Sequence, residues 1–146
     1  MKYTTLKTLV MLCLLVILAV ASVSAQSSSH IRVNIPFDFT AGKAQLKAGE
    51  YLVQSSSEGI LVLRRINDRI DTFVLASNTI QRPESKLSPK VVFHRYGNEY
   101  FLAEAWTSRN TIGRGVNKIG AERRLARQLA KVKMHAELVD VSAALK

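Results

Sequence analysis

The sequence has little cysteine and lacks several motifs that are typical of catalytic sites. Its one cysteine, Cys13, lies in an apolar segment near the amino terminus. A chain without that segment has no disulfide, no thiolate nucleophile and no cysteine metal ligand. The absence of G-x-S-x-G and G-x-x-x-x-G-K-[ST] motifs argues against a serine-hydrolase elbow and a phosphate-binding loop. The three histidines have no metal-ligand spacing. We therefore predict no catalytic residue, no metal site and no cofactor.

The first 25 residues have the layout of a secretory signal peptide. Lys2 and Lys7 form a basic start, residues 9–21 form an apolar run, and small side chains lead up to Ala25. This pattern predicts cleavage between Ala25 and Gln26. The apolar run reaches only about 20 Å as a helix, less than the ~30 Å hydrocarbon core of a bilayer, so we expect no permanent membrane span after cleavage. The sequence thus predicts an exported protein, periplasmic or extracellular.

Alternating or β-rich apolar segments dominate the next part of the chain. The stretch IRVNIPFDF, residues 31–39, places apolar side chains at every odd position, so these side chains are expected to face a core. Pro36 has no N–H for a sheet ladder, which predicts an edge strand or a bulge. Further strands are expected at residues 50–55, 60–66, 71–80, 91–96 and 99–106.

These segments predict a mainly β fold, with an antiparallel meander of about six strands and one C-terminal amphipathic helix. The pattern leaves a small barrel and a sandwich equally open. We divide the chain into a flexible lead-in at 26–30, a β domain at 31–108, a glycine-containing linker at 109–119 and a basic helix at 120–138. Residues 139–146 are expected to form a tail or a short strand. Gly113, Gly115 and Gly120 are expected at turn positions with positive φ.

The clearest local signal is a hairpin around Gly97-Asn98. Gly at the first turn position favours a two-residue turn, and its register pairs Tyr96 with Glu99 and His94 with Phe101. His94, Arg95 and Tyr96 are the local candidates for a pocket with polar groups. The simpler interpretation of His94 is a residue at the edge of the core that makes one hydrogen bond.

Positive charge is concentrated near the carboxyl terminus. Without Lys2 and Lys7 the chain has 19 basic and 11 acidic residues, and residues 109–146 hold 9 basic and 3 acidic ones. Like charges spaced i,i+4 on a helix repel by about 0.2–0.5 kcal/mol per pair, and an anionic partner would relieve this repulsion. The predicted surface for such a partner consists of Arg109, Arg114, Arg123, Arg124, Arg127 and Lys131.

The simpler interpretation is that these cations form the solvated face of a helix, and that the apolar side of this helix docks on the sheet. That side is predicted to comprise Ala121, Leu125, Leu129, Val132 and Ala136. It is narrow and has no Trp or Phe, which argues against a helix that inserts into a membrane.

Three segments together resemble a group of small exported bacterial proteins. They are IPFDFTAGKAQLKAGEY, VVFHRYGNEYFLAEAW and GRGVNKIGAERRLAR, which cover most of the chain after the signal segment. Lys47 departs from the group, where a proline is expected before the Ala-Gly-x-Tyr motif. The resemblance implies a shared fold, and it implies no activity, ligand or catalytic residue.

These features favour an exported binding or structural protein of the cell envelope over an enzyme. The expected partner is an anionic envelope polymer or an acidic protein, and export argues against nucleic acid. The alternative function is a small-ligand carrier or an enzyme that uses the interior of the β domain near His94. The oligomeric state is left open.

Overall fold

The computed structural model describes residues 30–56, 58–84, 87–109 and 111–145. The predicted signal segment and its cleavage site at Ala25 and Gln26 lie outside these residues. The described part contains eleven strands and one helix. They are β1 (His30–Ile35), β2 (Phe39–Ala41), β3 (Ala44–Leu46), β4 (Gly49–Ser55), β5 (Ile60–Arg65), β6 (Asp71–Leu75), β7 (Asn78–Gln81), β8 (Lys90–Tyr96), β9 (Glu99–Trp106), β10 (Ile112–Gly115), α1 (Gly120–Lys131) and β11 (Glu137–Leu145).

The strands form one sheet that curls into a nearly closed barrel. Their order is β3-β2-β9-β8-β11-β1-β4-β5-β6, and β10 joins β9 to β7. β6 is the last strand of this order, and only two residues separate it from β7 along the chain. β7 pairs with β10, and β10 pairs with β9, so the two ends of the sheet come close together. The predicted fold class is therefore confirmed as mainly β with one helix.

The strand count exceeds six because two predicted strands are divided, two strands were not predicted, and β11 is the strand that was one of two expectations for residues 139–146. The 31–39 segment is interrupted after Ile35 to give β1 and β2, and the 71–80 segment gives β6 and β7. The unpredicted strands are β3 and β10. β10 lies within the predicted 109–119 linker, and β11 inserts between β8 and β1. The β2–β9 pairing is parallel, so the sheet is not a simple antiparallel meander.

The opening stretch lies at the centre of the fold rather than at its edge. β1 pairs with β4 on one side and β11 on the other. Of the two expectations for Pro36, the edge strand was wrong. Strand pairing is instead interrupted at Pro36, which follows the last residue of β1 and needs no ladder hydrogen bond there. The inward direction of the odd-numbered side chains is confirmed. Ile31, Val33, Ile35 and Phe39 are buried, and Phe37 is half-buried against the same core.

The interior of the barrel is filled by apolar side chains. Those that are fully buried and largest include Tyr51, Phe93, Leu61, Leu63 and Val91, and they belong to one contiguous cluster. The predicted β8–β9 register is confirmed at Tyr96–Glu99 and His94–Phe101. Gly97 has the positive φ that this turn requires, 63°. A β-bulge then shifts the register between Val92 and Phe93.

The helix is shorter than the predicted 120–138 segment. α1 ends at Lys131, and Lys133 then adopts a φ of 57°. The N–H of Lys133 donates to the Ala130 carbonyl at 3.1 Å, and the N–H of Met134 donates to the Leu129 carbonyl at 3.0 Å. These two bonds form a Schellman motif, which satisfies terminal carbonyls and prevents the helix from continuing.

The linker glycines do not play the role expected from the sequence. Positive φ occurs at other glycines in the described residues, and Gly113, Gly115 and Gly120 do not have it. Gly113 is instead required by packing, since a Cβ atom there would lie 2.5 Å from Cε3 of Trp106. The glycine allows β10 to cross directly over the indole ring.

Candidate functional site

The outer face of β8 and β9 carries a second set of buried side chains. Val92, Tyr96, Phe101 and Trp106 are buried but do not belong to the barrel core. Cross-strand pairs place His94 beside Phe101 and Tyr96 beside Glu99 on this face. Tyr96 and Phe101 rings meet edge to face with centroids 5.8 Å apart. The barrel therefore offers an apolar outer surface on which another element can dock.

Glu122, in the first turn of α1, connects the helix to this surface. It is only 3 % exposed. Its Oε1 atom lies 2.7 Å from Nδ1 of His94 and accepts a hydrogen bond from the Tyr96 hydroxyl at 3.3 Å. A carboxylate oxygen only accepts hydrogen bonds, so the contact assigns the Nδ1 proton to His94. Lys118 donates to the Tyr96 hydroxyl at 3.3 Å. β8 and α1 thus meet at one buried carboxylate, and Lys118, just before α1, reaches the same tyrosine hydroxyl.

The three residues of the predicted pocket do not converge. His94 and Tyr96 share the outer face and meet at Glu122, as described above. Arg95 points elsewhere, because its guanidinium donates to the Gly97 carbonyl at 2.9 Å and to Glu137 at 3.3 Å. The role of Glu122, which attaches α1 to the barrel, was not predicted from the sequence. The one signal for it was an acidic residue in the first turn of an otherwise basic helix.

The remaining charge on α1 faces solvent and is cationic. Arg123, Arg124, Arg127 and Lys131 are exposed. The ion pairs of the described residues all involve cations of the strands and their turns, or His94, and none involves these four side chains. Since Glu122 is turned inward to His94, no acidic side chain of α1 compensates them. We call this set of four residues the cationic helix face.

The other two predicted anion-binding residues lie away from the helix, on or before β10. Arg114 is half-buried in β10 and donates to the Thr79 hydroxyl of β7 at 3.1 Å. Arg109 is exposed between β9 and β10. Four of the six predicted residues thus share one helix, and Arg114 has a role within the barrel.

The predicted apolar side of the helix only partly docks. Leu125, Leu129 and Ala136 are half-buried, whereas Ala121 is exposed and Val132 is 64 % exposed. Val132 is exposed because it lies beyond α1, where the chain turns at Lys133. Glu122 is the one buried residue of α1.

A separate open cleft of about 460 Å³ lies between the β2–β3 hairpin and the start of β9. Its lining is largely polar and includes Asp38, Lys47, Glu99 and Tyr100. The ammonium of Lys47 donates to Asp38 at 2.8 Å, and the N–H of Ala48 donates to it at 2.9 Å. These two bonds lower the pKa of Asp38 below its usual value. The cleft thus has an ion pair at its rim that already satisfies its aspartate.

No group of three or more His, Cys, Asp or Glu side chains that could hold a metal ion occurs among the described residues. Within the same residues, no helix combines the length and apolar character needed to span a bilayer. Comparison with protein-family models, with curated proteins and with solved structures finds no match.

Proposed function

We propose that the protein is an exported, non-enzymatic binding or structural protein of the cell envelope that contacts an anionic partner through the cationic helix face. The barrel serves as the scaffold, and Glu122 fixes the helix on it. One observation carries the proposal: four exposed cations share a helix without an ion pair in the described residues. Elsewhere on the molecule, cations such as Arg32, Arg64 and Arg65 are paired with carboxylates.

Repulsion between the cations of this surface destabilises the helix, which favours a role in binding over a role in folding. Arg123, Arg127 and Lys131 follow one another at i,i+4 spacing, where like charges destabilise a helix by about 0.2–0.5 kcal/mol per pair. A polyanion removes this repulsion and releases its own counterions when it binds. Affinity should therefore fall steeply as salt concentration rises.

A salt titration with dextran sulfate as the anionic probe tests the proposal. The test protein begins at Gln26, which retains every strand and helix described above. Reversing two charges of the cationic helix face, Arg123→Glu with Arg127→Glu, should weaken binding at least about tenfold at low salt. Unchanged binding by this variant would contradict the proposal.

The matched control reverses two exposed cations on other parts of the barrel. Lys43 lies in the turn between β2 and β3, and Arg69 lies before β6. Neither takes part in an ion pair within the described residues. Lys43→Glu with Arg69→Glu changes the net charge by the same amount but leaves the cationic helix face intact. It should therefore leave binding nearly unchanged. An equal loss in both variants would mean that net charge, and not the helix, determines binding.

Export is part of the proposal and has its own test. Cell fractionation should place the protein in the periplasm or the medium with Gln26 as its first residue. A cytoplasmic protein that retains residues 1–25 would contradict it. No feature of the described residues favours the alternative of an interior carrier or enzyme site, because inward-facing positions form an apolar core and His94 is bound to Glu122 on the outer face.

A further inference from the structure

The segment that follows the cationic helix face exposes large apolar side chains. Val132 is 64 % exposed, Met134 is 55 % exposed and Leu138 is 62 % exposed. These are three of the seven large hydrophobic residues that are exposed in the described part of the chain, and they fall within seven consecutive positions. Lys131 and Lys133 alternate with the first two of them. Cationic and apolar groups are therefore mixed at the end of α1.

The turn that presents these side chains is held by backbone hydrogen bonds. The Schellman bonds of Lys133 and Met134 close onto the last turn of α1. Val132 and Met134 flank the residue with positive φ. The fold thus keeps two apolar side chains outside the core at a defined place, next to the cations.

The acidic side chains of α1 and β11 already have hydrogen-bonding or ion-pair partners. Glu122 is buried against His94, Glu137 pairs with Arg95, and Asp140 pairs with Lys90. The end of the helix therefore keeps a positive charge that no neighbouring carboxylate offsets. An anionic surface is complementary to it in charge.

We infer that the end of α1 binds the surface of an anionic lipid bilayer, an inference that rests on the proposed function and specifies its partner. The helix-end surface consists of Arg127, Lys131, Val132, Lys133 and Met134. The cations contact anionic headgroups, and the apolar side chains enter the boundary between headgroups and acyl chains. A hydrated polyanion would gain little from the exposed side chains of Val132 and Met134, whereas a bilayer buries them.

The contact is shallow and involves the end of the helix rather than its whole length. Leu125 and Leu129 are half-buried on the barrel side, and Glu122 remains attached to His94 and Tyr96. The narrow apolar side that argues against an inserting helix is consistent with this geometry. The protein lies on the bilayer and does not cross it through α1.

Flotation with lipid vesicles, compared with dextran sulfate binding, tests the inference. The vesicles contain phosphatidylcholine with about 30 % phosphatidylglycerol, at an ionic strength of about 0.15 M. Val132→Ser with Met134→Ser should lower vesicle binding about tenfold, because two apolar side chains no longer enter the interface. The same variant should bind dextran sulfate within about twofold of the parent.

The control variant removes exposed hydrophobic residues elsewhere. Phe73 is 71 % exposed and Leu75 is 63 % exposed, both on β6. Phe73→Ser with Leu75→Ser should leave vesicle binding unchanged. Circular dichroism verifies that each variant folds, and any variant that unfolds is replaced by the corresponding alanine substitutions.

The outcomes separate the inference from the proposed function. Vesicle binding that is insensitive to Val132→Ser with Met134→Ser, or equal on pure phosphatidylcholine, overturns the lipid inference. Binding to dextran sulfate that depends on Arg123 and Arg127 without any vesicle binding also overturns it and leaves an acidic protein or polymer as the partner. If Arg123→Glu with Arg127→Glu changes neither assay, the proposed function fails as well.

Discussion

Replacement of Glu122 by alanine should detach α1 from the barrel. The carboxylate is the shared acceptor for His94 and Tyr96, so its loss removes two hydrogen bonds across the helix–sheet contact. Tyr96 is 5 % exposed, and its hydroxyl keeps the hydrogen bond donated by Lys118. The His94 side chain is 21 % exposed, so its ring nitrogen regains a hydrogen bond to water. Unsatisfied buried groups cost about 1–3 kcal/mol each.

Because one of the two groups is partly hydrated after the substitution, we expect a total destabilisation of about 2–3 kcal/mol. A helix of 12 residues is marginal by itself. The effect should therefore be largest in α1: its amide hydrogens exchange faster, whereas core amides of β4 and β5 exchange faster only to the extent that global stability falls. Urea unfolding followed by far-UV circular dichroism measures the loss, and hydrogen exchange locates it.

Two controls limit the interpretation of this experiment. Glu122→Gln keeps an acceptor oxygen of similar size, so it should lose about half as much stability or less. Gln128→Ala changes an exposed position of the same helix and should stay within about 0.5 kcal/mol of the parent. Unchanged stability and unchanged α1 exchange in the Glu122→Ala variant would refute the anchoring role.

Three further predictions concern the barrel and its turns. Gly113→Ala should lower stability by about 1–3 kcal/mol through overpacking and shift the fluorescence of Trp106, since the new Cβ would lie 2.5 Å from the ring; an unchanged melting curve and spectrum would contradict this. Lys133→Gly should raise stability by about 0.5–1 kcal/mol in thermal unfolding, because φ is 57°; a less stable variant would show that its side chain makes a contact that outweighs the strain. The pKa of Asp38 is lowered by Lys47, so its stabilisation is present above the usual aspartate pKa and is lost as pH falls through the lowered value. Asp38→Asn should therefore reduce the acid sensitivity of stability below about pH 4, and identical acid titrations of unfolding would exclude the effect.

The parts of the fold that the sequence predicted depend on local patterns. The β8–β9 hairpin followed from Gly97-Asn98 together with the alternation on both sides. The inward side chains of β1 followed from period-two alternation. In both cases residues close in sequence determine the outcome.

The parts that were not predicted depend on contacts between distant residues. β11 was left open because its inward positions, Val139, Val141 and Ala143, include a small side chain, and its place between β8 and β1 requires pairing across most of the chain. Gly113 faces a ring that only the folded sheet brings close. Glu122 meets its partners 26 and 28 residues away in sequence, and no local pattern reports that distance.

For the candidate site, the sequence identified the basic residues but not their geometry. Helical periodicity placed Arg123, Arg127 and Lys131 together, and the structure leaves them exposed. Periodicity gave no reason to separate Arg114 from the cations of the helix. Arg114 belongs to β10, where pairing with β7 places it beside Thr79. The apolar residues beyond α1 were assigned to a continuing helix, and their exposure depends on the turn at Lys133.

Hydrogen exchange of the protein with and without bound dextran sulfate locates the surface that contacts the anion. If the cationic helix face binds the anion, exchange should slow across residues 120–134 and stay unchanged across β4, β5 and β6. Protection confined to those strands, or bound protein whose α1 amides exchange at the free rate, would contradict it.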